Sequence, residues 1–109
     1  MEKGEVWIVE LPSVNGHEQA GTRPAIVIAD TEVDMVIAAP FTSNSLARRF
    51  PHTIEIKPSK RNGLYAKSIA LLFQIRSIDH KRLKSKVGTL EPTIITQADN
   101  ILKKMLKLT

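Results

Sequence analysis

The 109-residue chain contains no cysteine, one tryptophan, one tyrosine and three phenylalanines. The lack of cysteine excludes disulfide stapling, a thiol nucleophile and cysteine-ligated zinc or iron-sulfur centres, and it agrees with a reducing interior, so the cytoplasm is the expected setting. No apolar run approaches the roughly 20 residues that span a bilayer. The first residues, Met1-Glu2-Lys3-Gly4-Glu5, have no basic start followed by an apolar core, so neither a signal peptide nor a membrane partner is expected. Hydrophobic residues make up 42% and charged ones 25%, which argues against disorder and low-complexity scaffolds. The length fits a single domain over residues 1–109, and so short a chain buries only a modest core, which leads us to expect a tightly closed sheet or a dimer.

Acidic residues are scarce in one part of the chain. Residues 1–34 hold seven acids and two bases, net −5, whereas residues 35–109 hold four acids and fourteen bases, net +10. This asymmetry points to a polyanion or a strongly acidic protein segment as partner, beside the plainer reading of a solubilising surface.

Hydrophobic patterning gives mainly β structure. Gly4–Leu11 reads as a strand stopped by Pro12, and Ser13–Thr22 as a polar loop with an Asn15-Gly16 turn. Pro24–Ala29 and Met35–Phe41 read as a buried hairpin around the acidic turn Asp30–Asp34. A basic loop over 43–52 precedes the alternating strand Thr53–Lys57, with Ile54 and Ile56 on one face, and 58–63 is a turn by composition. Ser68–Asp79 is the longest extended candidate. Its alternation sets Leu72, Gln74, Arg76 and Ile78 opposite Leu71, Phe73 and Ile75, with Phe73 expected in the core. Lys81–Lys86 is read as a basic connector, Val87–Leu90 as a last short strand, and Pro92 as the first turn of an amphipathic helix reaching Leu106. Five to seven antiparallel strands and a terminal helix imply a bent sheet or small barrel with the helix packed on it.

His17, His52 and His80 are scattered without metal-ligand spacing, so no metal site is expected. Walker A, GxGxxG and GxSxG patterns are absent, which removes the usual support for nucleotide hydrolysis, dinucleotide redox chemistry and nucleophile-elbow hydrolases. The strongest polar constellation is residues 16–24, GHEQAGTRP, where an imidazole, a carboxylate, an amide and a guanidinium crowd the start of a buried strand. A charged Arg23 there needs either an ion pair, with Glu18 for example, or a function. Thr42-Ser43-Asn44, at the end of another strand, is a second candidate.

The segments GEVWIVELPSVNGHEQAGTRPAIVI, APFTS and SIALLFQIRSID, in this order and with a closing helix, resemble the MazF/PemK (Kid-type) toxins. The resemblance spans nearly the whole chain. It implies an SH3-like small barrel, a homodimer with a groove for single-stranded RNA, no cofactor, and metal-independent transesterification to 2′,3′-cyclic phosphate and 5′-hydroxyl ends. A cognate antitoxin with an acidic, flexible tail is the implied protein partner. By motif, Arg23 matches the family's catalytic arginine, Thr42 the threonine beside the scissile phosphate, and His17 an acid-base position that is serine in some members. Glu18, Gln19, Ser43, Asn44, Gln74 and Arg76 fall at expected RNA-contacting positions, although a buried ion pair of Arg76 with Asp79 or another acid explains that residue at least as well. Phe73 departs from the family pattern, which often has an acid just before Gln-x-Arg; an aromatic there either fills the core, as expected above, or stacks on a base. Leu71 replaces a basic residue found in some Kid-type members. Two other readings share the fold: a CcdB-like gyrase-poisoning toxin and a noncatalytic RNA-binding module.

Overall fold

In a computed structural model of the chain, which describes residues 1–12 and 16–108, seven strands form one antiparallel sheet. The strands are β1 (Glu5–Leu11), β2 (Gly21–Asp30), β3 (Met35–Thr42), β4 (Thr53–Ile56), β5 (Ser68–Leu71), β6 (Arg76–Asp79) and β7 (Leu83–Thr89), followed by helix α1 (Pro92–Leu106). Their order is β4-β5-β3-β2-β1-β7, with β6 also paired to β3. The sheet is open and barrel-like, bounded by β4 and β7. The β2–β3 hairpin follows the sequence reading, with Ala25 to Val27 opposite Pro40 to Ala38. Gly21 and Thr22 belong to β2 rather than to the preceding loop, and Asn15 of the expected turn lies outside the described residues.

Alternation along the central strands loads both faces of the sheet. Val6, Ile26, Ala39, Phe41 and Ala70 join Ile54, Ile56, Leu72 and Leu90 in the core beneath α1. Val9, Leu11, Ala25, Val36, Ala38 and Ile78 form a second cluster with Trp7 and Leu83. The helix packs Ile94, Ile95, Ala98, Ile101, Leu102 and Met105 against the first cluster, while Leu106 is exposed. It ends where Lys107 turns left-handed (φ 57°) and returns its N–H to the Lys103 and Lys104 carbonyls.

Two expectations are corrected. Ser68–Asp79 is not one strand: β5 pairs with Phe41 and Thr42 of β3, β6 pairs with Met35 to Ala38, and a 3-10 turn over Leu72–Gln74 lies between them. On the side of β3 away from β2, the stretch between these two pairings is Ala39–Pro40, where proline has no N–H for a ladder. The Leu72 amide bonds instead to the His52 carbonyl at 3.0 Å, and Leu72 fills the core while the turn swings Phe73 outward. Lys81–Lys86 is likewise not a connector, since a 3-10 turn over His80–Arg82 leads straight into β7 at Leu83. Of its exposed lysines, Lys81 sits on the turn, and Lys84 and Lys86 on β7, Lys86 opposite Trp7 of β1.

The turn between β4 and β5 is built around Asn62, which is fully buried. Asn62 Oδ1 accepts from the Ser59 and Leu64 amides, and Nδ2 donates to the Lys57 carbonyl at 3.0 Å and to Glu91 Oε1 at 3.3 Å. Glu91 also accepts from the Ser59 hydroxyl at 2.6 Å. That bond, more than any other interaction, holds the Glu91 carboxyl below its ordinary value of 4.5, and the Asn62 amide and the nearby Arg61 charge add to it. Because the folded value is depressed, the associated stability is complete above the ordinary glutamate range and is lost as pH falls through the lower, folded value. Replacing Glu91 with Gln should therefore flatten the acid limb of a plot of Tm against pH, below about pH 4.5. An acid limb unchanged in slope would count against the assignment.

Candidate nucleic-acid interface

The polar residues of 16–24 come together because two side chains from the broken segment grip the loop. Gln74 Oε1 accepts from the Gln19 amide at 2.8 Å, and Gln74 Nε2 donates to the His17 carbonyl at 3.1 Å. Arg76 Nη2 donates to the Gln19 carbonyl. Both side chains face the loop, as alternation requires, but a 3-10 turn rather than a continuous strand aims Gln74 there. Its amide is spent on positioning His17 and Gln19. Gly16 sits at φ +134°, where a Cβ would lie 2.7 Å from Glu18 Oε2, so this bend favours glycine.

Arg23, near the start of β2, is fixed from the preceding loop and from β3. Its Nε donates to the Ala20 carbonyl at 3.1 Å and Nη1 to the Phe41 carbonyl at 3.3 Å. Among the described residues no carboxylate lies within ion-pair distance of Arg23, so the expected alternative of a bridge to Glu18 is not what holds it. Two neutral carbonyls orient the guanidinium without cancelling its charge.

Thr42 follows Phe41 at the end of β3. Its Oγ1 accepts from the Asn44 amide at 3.2 Å, which leaves the hydroxyl proton free to donate elsewhere. Asn44 Oδ1 in turn caps a 3-10 helix over Ser45–Arg49 by accepting from the Leu46 amide at 3.0 Å. That helix covers Ile69 and Leu71 through Ala47 and presents Leu46, Arg49 and Phe50 outward.

Three adjoining depressions share these residues. A groove of about 540 Å³ is lined by His17, Gln19, Thr42, Asn44 and Gln74, with an apolar wall that includes Phe50 and Phe73. A second, of about 490 Å³, contains Arg23, Thr42 and Ser43 beside Leu64 and Tyr65. Thr42 is common to both, so it stands between His17 on one side and Arg23 on the other. A third, smaller hollow brings Glu18 and Arg76 beside His17, Phe73 and Gln74.

Electrostatically the site is cationic. Arg76 is held below its ordinary value chiefly by burial and further by the neighbouring Arg23 charge, against the opposing pull of Glu18. Its Nε is buried without a hydrogen-bond partner among the described residues. Asp79, the expected ion-pair partner, instead accepts from the Lys81 amide. With the Arg23 guanidinium near enough to disfavour the charge on Arg76, an anion placed there gains from both.

The sequence profile of the PemK-like, MazF-like toxins of type II toxin-antitoxin systems matches residues 2–106. The chain belongs to this family. It is 34% identical over 106 residues to the endoribonuclease MazF of Staphylococcus epidermidis, covering 94% of this chain and 88% of that protein. The fold agrees with that of MazF from Deinococcus radiodurans, at a TM-score of 0.81 and 21% identity over 98% of this chain and 96% of that one. A mycobacterial endoribonuclease solved in complex with its cognate antitoxin is also similar, with a TM-score of 0.74 and 18% identity over 98% of this chain and 95% of the other. The open, helix-backed sheet described above is thus the MazF/PemK fold.

Within this MazF/PemK scaffold, sequence reasoning held an exposed Phe73 only as the alternative to a buried one, and missed Phe50. Phe73 is 39% exposed and Phe50 43% exposed, so the expected burial of Phe73 is corrected. Among the described residues no group of three or more His, Asp or Glu side chains is arranged to hold a metal, and no helix is long and apolar enough to cross a membrane.

Proposed function

We propose that this chain is a sequence-selective endoribonuclease toxin that cuts single-stranded RNA, mRNA in the cell, without a metal or other cofactor. In the reaction, the ribose 2′-oxygen attacks the adjacent phosphorus, the 2′-hydroxyl proton passes to a base, and the 5′-oxygen leaves with a proton. The products are a 2′,3′-cyclic phosphate and a 5′-hydroxyl. The observation that carries this reading is Arg23, a guanidinium oriented by two main-chain carbonyls and unneutralised, next to a Thr42 hydroxyl with its proton free. Arg23 stabilises the charge that builds on the phosphoryl oxygens as the phosphorane forms, and Thr42 donates to the same oxygens. His17, across Thr42 from Arg23, carries the imidazole that exchanges the proton as the acid-base group. Glu18, Gln19, Ser43, Asn44 and Arg76 border the same depressions and contact the RNA strand. Gln74 acts one step back, by holding the loop that carries His17.

The protein acts as a single-domain homodimer in the cytoplasm and is restrained by a cognate antitoxin whose acidic, flexible tail folds onto the cationic groove. The net +10 of residues 35–109 favours such a tail by the same attraction that draws RNA.

The direct test is to incubate the purified protein with a long unstructured RNA in EDTA, then map the cuts and identify the ends by primer extension and phosphatase sensitivity. Discrete cuts with cyclic-phosphate and 5′-hydroxyl ends are expected. Intact RNA across several sequences, from folded protein, would defeat the proposal and favour a gyrase-poisoning or noncatalytic role.

Two further results are expected. Replacing Gln74 with Ala frees the His17 and Gln19 main chain, and cleavage should fall about tenfold or more through lost positioning. Thermal stability should change little, since about two hydrogen bonds on a surface loop are lost; an unaltered cleavage rate would sink the positioning role. RNA affinity should fall linearly with salt on logarithmic axes, with a slope near −2 if Arg23, Arg49 and Arg76 each neutralise one phosphate. A flat response between low and physiological salt would rule out a polyanion groove.

A further inference from the structure

Of the three phenylalanines, Phe41 is 1% exposed, whereas Phe50 and Phe73 lie open on the wall of the groove that contains Thr42. They come from separate elements. Phe50 ends the 3-10 helix over Ser45–Arg49, and Phe73 rides on the 3-10 turn that interrupts the expected long strand. Their ring centroids are 5.8 Å apart and the planes meet at 67°, an edge-to-face pair. Such a pair leaves ring faces free for a third flat group. The Arg49 guanidinium carbon lies 5.0 Å from the Phe50 ring centre, so a cation sits on the apolar wall itself. Among the described residues lining this groove none is an acid, and the amide nitrogen of Asn44 at its edge has no hydrogen-bond partner among the described residues.

This combination selects the occupant. An aliphatic side chain would use the rings but not the cation or the amide, and a free phosphate would use the cation but not the rings. An unpaired nucleotide uses all three: its base stacks, its phosphate meets Arg49, and its base edge meets Asn44. We propose that Phe73 and Phe50 form a stacking subsite for one unpaired nucleobase next to the scissile bond, and that this subsite sets the base preferred at that position. The inference rests on the endoribonuclease reading above, since the scissile bond is defined by Thr42. It also gives a consequence to Phe73, the residue that departs from the family pattern: the wall offers a π face in place of a carboxylate, and recognition there changes from charge and hydrogen bonding to stacking.

The test compares wild type, Phe73→Leu, Phe50→Leu and Phe73→Trp on a pool of single-stranded RNA randomised in sequence, in EDTA, with cut sites read by sequencing. Short RNAs carrying 2-aminopurine at successive positions, made uncleavable by 2′-O-methylation, report stacking by fluorescence quenching. Leucine keeps the apolar wall but cannot stack, so both leucine variants should lose base discrimination at one and the same position flanking the cut, by about tenfold. Phe73→Trp should retain it. The 2-aminopurine at that position should be quenched by wild type and by Phe73→Trp but not by Phe73→Leu.

Unchanged preferences in both leucine variants would overturn the subsite. So would equal weakening at every position, which would mean that the neighbouring Gln74 grip on the loop had failed. Unaltered RNA recognition with weakened binding of an acidic antitoxin peptide would assign the wall to protein instead, and would overturn it too. If wild type cuts no RNA yet quenches 2-aminopurine in a Phe73-dependent way, the endoribonuclease reading fails and the base subsite stands. Absence of both signals removes the two together.

Discussion

Replacing Arg23 with Ala should lower RNA cleavage by a factor of roughly 10²–10³, the loss typical when one oriented donor to a developing oxyanion is removed. The fold should survive. Arg23 makes two hydrogen bonds to carbonyls and no ion pair among the described residues, so its loss costs about 1–2 kcal/mol of stability. Arg23→Lys is the more discriminating variant. A lysine keeps the charge but cannot hold the Ala20 and Phe41 carbonyls and still present a planar fork to a phosphorane, so it should recover at most about tenfold of the lost rate. Single-turnover cleavage of one mapped site, with Tm measured in parallel, separates the chemical loss from unfolding. If Arg23→Ala cleaves within tenfold of wild type, the guanidinium is not the stabilising group and the role assigned to it here is wrong.

The largest expected loss of stability comes from a residue far from any chemistry. Asn62→Ala should destabilise the protein by about 3 kcal/mol, equivalent to a fall in Tm of roughly 10–20 °C for a chain of this size. The side chain has no contact with solvent and is bonded on both ends of its amide, so truncation strands the Ser59 and Leu64 amides and the Lys57 carbonyl in a place water does not reach. Asn62→Asp keeps the acceptor but puts a second carboxylate against Glu91, and it should be at least as damaging near neutral pH. Neighbouring glycines tighten the constraint: a Cβ on Gly63 would lie 2.2 Å from the Val87 carbonyl oxygen, and one on Gly88 would lie 2.5 Å from that of Arg61. Because Leu64 and Tyr65 leave this turn to line the groove beside Arg23, the same substitution should also weaken cleavage in the fraction that remains folded. A shift in Tm of less than about 2 °C, measured by calorimetry, would contradict the accounting of its bonds.

The basic half of the chain and the acidic first third reach function by different routes. Two of the later charges pair with carboxylates of β1, Arg82 with Glu10 at 3.5 Å and Lys86 with Glu5 at 3.6 Å, and the first, an exposed pair, adds little to stability. The guanidiniums we propose to meet RNA include Arg23, which has no carboxylate partner among the described residues, and Arg76, which the fold partly dehydrates. Net charge announced a polyanion, and only the pairing pattern tells which cations are available to it.

The sequence by itself determined the elements whose cause is local. Ile54 and Ile56 alternate with polar neighbours and both are buried; the apolar runs around Asp30–Asp34 form the β2–β3 hairpin; Pro92 and the helical spacing from Ile94 to Met105 give α1. Hydrophobic patterning also placed Arg23 and Thr42 near strand ends, whereas the roles expected of them came from the family resemblance. Tertiary structure decided the rest. Twelve residues from Ser68 to Asp79 carry an unbroken extended pattern, yet β3 offers pairing only at its two ends, with Pro40 between them, so the partner strand breaks into two pieces joined by a turn. That break turns Phe73 out, aims Gln74 at the His17 loop and makes the groove wall with Phe50. Asn62 looked like one polar residue of a turn and is instead its buried hub, because Glu91 and the carbonyl of Lys57, 29 and five residues away in sequence, converge on it. Periodicity reports which face of an element meets the core; it carries no information about where a distant strand runs out of hydrogen bonds to share, and at that point the site of this protein was made.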